Sequence, residues 1–303
     1  MNSKKDLGKY ASSDLWKKLG HELFSEIDDI QLNNFRAPGD INNRLASWDP
    51  IDSNTYRYYK TILFDLVVDE DDDFIGTYKK IGNTSIGNPV EVIVNGHSFN
   101  LDYIFSVQEI FFLKSILLKN QFIVEIGGGF GRTCHAILNN FPQFKKYTII
   151  DIPEVLTLSK KYLNKVLSKE MLRKVIFLEN TAADNAGGGL YINIDSMQEM
   201  DQIVVDNYLK LIDNKAHYFY TRNTIGKYDP SSIGLHEYNK DEYKNALKVG
   251  LCQNVIDIYN SDELEKTRVM YLEKYSPSSN WKLIKHEKSI PWQYYHHALY
   301  ENE

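Results

Sequence analysis

Apolar positions in the first third of the chain follow helical spacing. Between Leu15 and Ile30 they recur at steps of three and four residues, which predicts an amphipathic helix over residues 14–32. The same spacing predicts a second helix over residues 53–68, and a dense apolar stretch predicts a third, mostly buried helix over residues 103–119.

Two shorter segments between these helices have different patterns. Residues 91–101 hold two short β-rich runs around Asn95-Gly96, a pair that favours a two-residue hairpin turn. Residues 69–73 are five adjacent carboxylates. Such a run is typical of a solvated loop or a helix end, and cation binding is the alternative.

Beyond residue 120, β-rich runs alternate with helical segments. Strands are predicted at 122–126, 147–150, 175–178, 191–194 and 217–221, and helices at 132–140, 153–167 and 198–212. This alternation predicts parallel strands with crossover helices, and therefore an α/β sheet. Two last strands, 281–286 and 295–300, are joined by a short loop and predict an antiparallel pair at the end of the sheet.

Composition and charge narrow the possible functions. The chain is 43% hydrophobic and 25% charged, as expected of a folded protein, and its net charge is −6. Residues 1–110 carry a net charge of −7 and residues 111–303 a net charge of +1. An acidic chain without a Lys/Arg cluster is a poor nucleic-acid binder, because phosphates require cationic contacts.

The sequence also favours a cytoplasmic protein. No apolar run is long enough to predict a membrane span, and the N-terminal residues do not resemble a signal peptide. Cys134 and Cys252 are far apart, which argues against a disulfide framework and for reduced thiols. The eight histidines and two cysteines show no metal-ligand spacing, so no metal is expected.

The most informative segment runs from Val124 to Thr133, where a strand end, a glycine-rich turn and a helix start follow one another. Glycines occupy every second position of the turn: Gly127, Gly129 and Gly131. Arg132 stands where the dinucleotide fingerprint requires a glycine, and Glu125 would repel a pyrophosphate. Asp151 ends the next strand, where a carboxylate can accept both hydroxyls of a ribose.

Together these features resemble class I S-adenosylmethionine-dependent methyltransferases, whose first motif is an acidic residue followed by G-x-G-x-G. The resemblance implies a Rossmann-like, mostly parallel seven-stranded sheet with an antiparallel C-terminal strand pair. A finer similarity, to the bacterial family of sugar O-methyltransferases, extends over most of the chain. It is carried by Ile86-Gly87-Asn88-Pro89, the glycine turn, Ile150-Asp151-Ile152-Pro153-Glu154-Val155-Leu156 and Asp195-Ser196-Met197-Gln198-Glu199-Met200.

This resemblance implies S-adenosylmethionine as cofactor and S-adenosylhomocysteine as product. The residues expected to bind the cofactor are Glu125, Gly127, Gly129, Gly131, Asp151, Ile152, Asn180, Thr181 and Asp195. Glu199 is the first candidate for the general base, with Gln198 orienting a sugar hydroxyl and His236 as the second candidate. Alternatively, Glu199 stabilises the start of a helix and His236 is a loop residue without a role. Arg222 and Asn223, expected just past the fifth strand, are candidates for substrate binding.

The function implied is O-methylation of a sugar or sugar-derived intermediate of surface polysaccharide (capsule or LPS) or secondary-metabolite biosynthesis. Three alternatives stay open: a methyltransferase of a phosphorylated or nucleotide-linked small molecule, an NAD-dependent sugar oxidoreductase, and a non-catalytic binding module. Residues 103–303 are expected to form the catalytic domain. Residues 1–102 are expected to form a helical and hairpin extension that covers the site or pairs two subunits as a homodimer.

Overall fold

A computed structural model of the chain describes residues 8–24, 27–37, 53–229 and 244–303. Within them, the strands are β1 (Val92–Val94), β2 (His97–Phe99), β3 (Phe122–Ile126), β4 (Lys146–Asp151), β5 (Val175–Glu179), β6 (Gly189–Ile194), β7 (Ala216–Thr224), β8 (Trp281–Lys288) and β9 (Tyr295–Asn302). The helices are α1 (Asp14–Leu19), α2 (Asp29–Asn34), α3 (Ser53–Val68), α4 (Asp72–Ile81), α5 (Leu101–Leu117), α6 (Arg132–Asn140), α7 (Pro153–Val166), α8 (Lys169–Leu172), α9 (Gln202–Lys215) and α10 (Ser261–Lys274).

Seven of the described strands form one mixed sheet in the order β5-β4-β3-β6-β7-β9-β8. Parallel pairing joins β3 to β6, β4 to β5, and β6 to β7. β9 pairs antiparallel with both β7 and β8. The predicted mostly parallel sheet with an antiparallel C-terminal pair is therefore confirmed.

The described residues divide into two compact units. The first contains residues 8–16, 123–127, 180–229 and 244–303, and the second contains the remainder. The core of the first unit includes Ile192, Phe219 and Leu299, whose side chains are buried on β6, β7 and β9. In the second unit α5 is buried on nearly all sides, and each apolar side chain buried there contributes about 1.5–3 kcal/mol. The functional boundary expected near residue 102 stays a prediction.

The N-terminal helix expected over 14–32 is interrupted, so that prediction is wrong. α1 ends at Leu19, a π-helical turn covers Gly20–Phe24, and α2 begins at Asp29. Asp28 starts α2 through a capping box: its side chain accepts the N–H of Gln31, and the Gln31 side chain accepts the N–H of Asp28. Apolar periodicity continues through such a restart and cannot reveal it.

The acidic run and the hairpin both have local structural roles. Asp71 caps α4 by accepting the N–H of Phe74 at 2.8 Å, and Asp72 and Asp73 lie in the first turn, where carboxylates favour the helix dipole. The run is thus a helix end. The predicted hairpin is also confirmed, with Asn95 and Gly96 at φ 51° and 76°.

Two element boundaries differ from the prediction and affect the site. The helix expected to begin at Gln198 begins at Gln202, after a separate 3₁₀ turn at Met197–Glu199. β7 extends to Thr224 instead of ending near residue 221.

Candidate functional site

The glycine turn after β3 requires glycine for two reasons. Gly127, Gly129 and Gly131 have φ values of 71°, 54° and 94°, in the left-handed region that other residues adopt at a cost. A Cβ at Gly127 would also lie 2.1 Å from the Ser196 hydroxyl oxygen, and one at Gly131 would lie 2.8 Å from a Leu163 methyl carbon. Glycine at these two positions therefore leaves the space that Ser196 and Leu163 occupy.

Asp151 lies directly against this turn. Its Oδ2 accepts the N–H of Gly129 at 2.9 Å, and its Oδ1 accepts the N–H of Ile152 at 2.8 Å. Burial raises the pKa of Asp151 to about 7, although the two backbone hydrogen bonds act in the opposite direction. Asp151 as a whole residue is half-buried, and each oxygen of its carboxylate has further acceptor capacity. It is thus suited to a ligand with two neighbouring hydroxyl donors.

Ile152, expected near an adenine, is buried beside the N-terminal π-helical turn. A Cβ at Gly20 would lie 3.1 Å from the Ile152 Cδ1 atom and 3.3 Å from the Glu154 Cβ atom. This close approach explains a glycine at position 20. Sequence patterns gave no indication of the contact.

Asp195 and Gln198 are brought together at the end of β6. Asp195 has φ 60°, and its Oδ1 accepts hydrogen bonds from the Gln198 amide and from the Tyr295 hydroxyl, the latter at 2.8 Å. The Gln198 Oε1 accepts the N–H of Thr224 at 2.7 Å. Both ends of the Gln198 amide are therefore engaged within the protein, which makes Gln198 an organiser of this corner.

Glu199 lies in the 3₁₀ turn, so the expectation that it begins a helix is wrong. The indole Nε1–H of Trp16 donates to the Glu199 Oε2 at 2.7 Å. Burial lowers the pKa of Lys227, and the Glu199 carboxylate acts in the opposite direction. The ammonium of Lys227 donates to the Gln198 carbonyl at 2.9 Å. The Glu199 carboxylate thus accepts a hydrogen bond from the neutral indole of Trp16 and interacts favourably with the charge of Lys227.

Arg222 and Asn223 lie inside β7, so the expectation that they follow the strand is wrong. Both are buried. The Arg222 Nε donates to the Ser289 hydroxyl at 3.0 Å, and the guanidinium stacks over the ring of Tyr295 at 4.9 Å. The Asn223 amide donates to the Asn193 Oδ1 at 2.7 Å. Their structural partners come from neighbouring strands and loops.

The remaining predicted residues are dispersed. Glu125 is buried on β3, opposite Ile192 of β6. Asn180 donates to the carbonyl of Tyr10 and begins a second 3₁₀ turn, Asn180–Asn185, in which Thr181 is exposed. His236 lies outside the described residues.

Three residues of this corner escaped the sequence analysis: Trp16, Lys227 and Tyr295. Each is far in sequence from its partner, and Trp16 is 183 residues from Glu199. The Tyr294-Tyr295 pair at the start of β9 was the available signal for Tyr295. Burial, and next the Asp195 carboxylate, raises the pKa of Tyr295 well above its usual value, so its hydroxyl stays a donor.

The described residues contain neither a cluster suited to a metal ion nor a helix suited to a membrane. No group of three or more His, Cys, Asp or Glu side chains there could hold a metal ion. No described helix has the length and apolarity to cross a membrane.

Comparisons with known proteins give similar solved structures only. No family model matches the sequence, and no curated protein does. The chain is similar to the methyltransferase domain of bacterial CtHen1-C (13% identity, 65% of this chain and 96% of that one, TM-score 0.45). It is also similar to the mitomycin 7-O-methyltransferase MmcR, at 12% identity over 87% of this chain and 76% of that one, with a TM-score of 0.44. A third similar structure is human N-acetylserotonin methyltransferase in complex with SAM, at 15% identity over 66% of this chain and 54% of that one, with a TM-score of 0.39. The function must therefore be inferred from the residues of the chain itself.

Proposed function

We propose that the chain is an S-adenosylmethionine-dependent O-methyltransferase. The observation that carries the proposal is the hydrogen bond from the Gly129 N–H to the Asp151 carboxylate, within a turn whose three glycines have positive φ. A turn with a single side chain, that of Phe130, allows close approach of a ligand to the backbone of its glycines, and the adjacent carboxylate can accept a ribose diol. A G-x-G-x-G turn with an acidic strand end fits this cofactor better than a dinucleotide.

The chain's own residues divide between binding and proton transfer. We assign cofactor binding to the glycine turn, Asp151 and Ile152, with Glu125, Asn180, Thr181 and Asp195 contributing. When bound, the cofactor supplies a methyl group on a sulfonium. Glu199 accepts the proton of the acceptor hydroxyl, because an alcohol is a weak nucleophile until it is deprotonated. Trp16 holds this carboxylate through its indole N–H, and the positive charge of Lys227 interacts favourably with it.

We further propose that the acceptor is a sugar or sugar-derived intermediate of surface polysaccharide or secondary-metabolite assembly. The support is the sequence resemblance and the polar corner of Asp195, Gln198 and Tyr295, which offers hydroxyl and carboxylate groups to a polyol. Residues 1–102 are proposed to cover this site or to pair two subunits.

Calorimetry with S-adenosylhomocysteine tests the cofactor assignment. Asp151→Ala is expected to weaken binding roughly ten- to hundredfold, because hydrogen bonds to a charged group are lost. Asp65→Ala, an exposed residue of α3, is the matched control and is expected to bind as the unmodified protein does. No binding by the unmodified protein at millimolar ligand, or unchanged binding by Asp151→Ala, would overturn the proposal.

A second experiment identifies the acceptor. Methyl transfer from labelled cofactor is measured across nucleotide sugars, glycan fragments and phosphorylated small molecules. Product from a glycan supports the sugar assignment, whereas product from phosphorylated molecules alone moves the acceptor to that class. A nicotinamide-fluorescence titration on the same protein tests the oxidoreductase alternative.

A further inference from the structure

The motif Ile86-Gly87-Asn88-Pro89 holds a buried arginine of the N-terminal region. The Arg36 Nη1 donates to the carbonyls of Thr84 and Ile86 at 2.8 and 2.9 Å, and the Arg36 N–H donates to the Gly87 carbonyl at 2.9 Å. A Cβ at Gly87 would lie 2.8 Å from both the Arg36 Cδ and the Phe35 Cε1. This loop therefore fixes the Phe35-Arg36 pair closely.

The first turn of α5 completes the surroundings of Arg36. Its Nε and Nη2 donate to the Asp102 Oδ2 at 3.0 and 2.7 Å, and its Nη2 also donates to the Asn100 Oδ1 at 2.7 Å. The guanidinium makes five side-chain hydrogen bonds in all, as many as it has N–H donors. Its side chain is fully buried, so it is fixed in position.

Phe35 and Arg36 both contact the glycine turn through Phe130, which stands between Gly129 and Gly131. The Phe35 and Phe130 rings meet edge to face at 5.3 Å, and the Arg36 guanidinium lies 5.3 Å from the Phe130 ring centroid. Tyr162 of α7 closes the cluster, with its ring 5.0 Å from that of Phe130. Phe130 is the one side chain between residues 127 and 131, so these contacts restrain the turn through that side chain.

We propose that Phe35 and Arg36 are positioning residues for the cofactor site, acting through Phe130 on the glycine turn. This inference rests on the proposed function. A glycine-rich turn loses much conformational entropy when it binds a ligand in one geometry. Anchoring Phe130 pre-orders the turn, so that less of this entropy is lost on binding. The N-terminal region thus sets cofactor affinity without touching the cofactor.

Two variants perturb the contacts of Phe35 and Arg36 with Phe130, which we call the Phe130 anchor. Phe35→Leu removes the edge-to-face contact, and Gly87→Ala displaces Phe35 and Arg36 by adding a Cβ. Phe144→Leu is the matched control, because Phe144 is equally buried in the same unit but packs on Phe141, beyond the C-terminal end of α6. All three are measured well below their melting temperatures, so that differences in stability do not enter the binding data.

Calorimetry and amide hydrogen exchange by NMR then separate positioning from general packing. Phe35→Leu and Gly87→Ala are expected to weaken S-adenosylhomocysteine binding about tenfold, which corresponds to ordering about one further residue on binding. The Gly129 and Gly131 amides should exchange faster in both variants than in Phe144→Leu. Phe144→Leu should lower the melting temperature while keeping the unmodified affinity.

The outcomes distinguish the two proposals. Unchanged affinity and unchanged exchange at Gly129 and Gly131 in Phe35→Leu would overturn the positioning role and leave the proposed function intact. Loss of affinity in Phe144→Leu equal to that in Phe35→Leu would also overturn it, because any core change would then suffice. An unmodified protein that does not bind S-adenosylhomocysteine would overturn the proposed function, and faster exchange in Phe35→Leu would still report the anchor.

Discussion

The side chain of Asp151 is subject to two opposing effects on its charge. Two backbone N–H groups favour its ionised form, whereas burial favours its neutral form more strongly and brings its pKa to about 7. A ligand that donates two hydroxyl hydrogens would favour the ionised form again. The affinity of the site should therefore depend on pH near neutrality.

This balance predicts a pH-dependent cofactor affinity. Because the ionised Asp151 accepts the ligand hydroxyls, S-adenosylhomocysteine should bind fully above pH of about 7 and progressively more weakly below it, by up to ~tenfold per pH unit. Calorimetry between pH 8 and pH 6 measures the change. Asp151→Asn, which does not titrate, should bind more weakly with a flat profile, and an equal slope in both proteins would contradict the assignment.

Both the backbone conformation of Gly127 and its neighbour Ser196 require glycine at this position. Gly127→Ala should destabilise the protein by about 2–5 kcal/mol, from the left-handed φ and from overlap with Ser196. In a Ser196→Gly background the cost should fall by about 1–3 kcal/mol, because the overlap is relieved while the backbone strain persists. Urea denaturation of the four proteins gives this coupling.

The control for this cycle is Gly76→Ala in α4, where the added Cβ would point into open space, with no atom within 4 Å beyond its chain neighbours and the backbone of its own helix. It should stabilise the helix by about 0.5–1 kcal/mol. Equal costs of Gly127→Ala in both backgrounds would assign the whole effect to the backbone.

At the scale of elements, the segment from Gly8 to Trp16 is joined to the first unit by side-chain contacts at both of its ends. Lys9 and Tyr10 bind Asp184, the Tyr10 and Tyr208 rings meet at 4.6 Å, and the segment ends with the indole of Trp16 on Glu199. The segment is bound to Asp184 near its N-terminal end, and at its C-terminal end it supplies the indole N–H that Glu199 accepts. The candidate base therefore depends on an element outside the α/β alternation.

The bond between Trp16 and Glu199 can be observed without a substrate. The chain has four tryptophans, so a ¹⁵N-labelled sample gives four indole resonances, and Trp16→Phe identifies the one that belongs to Trp16. Glu199→Gln should shift that resonance upfield, because a hydrogen bond to a neutral amide is weaker than one to a carboxylate. Tyr10→Phe alters the same segment away from Glu199 and should leave the resonance in place. An unchanged resonance in Glu199→Gln would show that the bond is absent in solution.

Over the whole molecule, local signals predicted the order of strands and helices in the sheet. Strand β4 and the glycine turn are recognisable from neighbouring residues, and the structure adds the hydrogen bond from the Gly129 N–H to Asp151, which the sequence analysis did not predict. The break after α1 and the 3₁₀ turn before α9 were missed, because caps and short turns change the backbone without interrupting apolar periodicity. Pairs such as Trp16 with Glu199 and Arg36 with Asp102 join residues 183 and 66 positions apart, which no local pattern specifies.

The environment of Arg36 has a consequence for recognising relatives of this chain. A guanidinium whose donors are all engaged cannot be replaced by an ammonium, which has fewer donors in a different geometry. Without the guanidinium, its acceptors lose their hydrogen-bond donors. Arg36, Gly87 and Asp102 should therefore covary, each retained where the others are retained and lost together where one is lost. The three positions form a sequence signature for the N-terminal region, and a search that requires it together with G-x-G-x-G should separate close relatives from proteins that share the sheet alone.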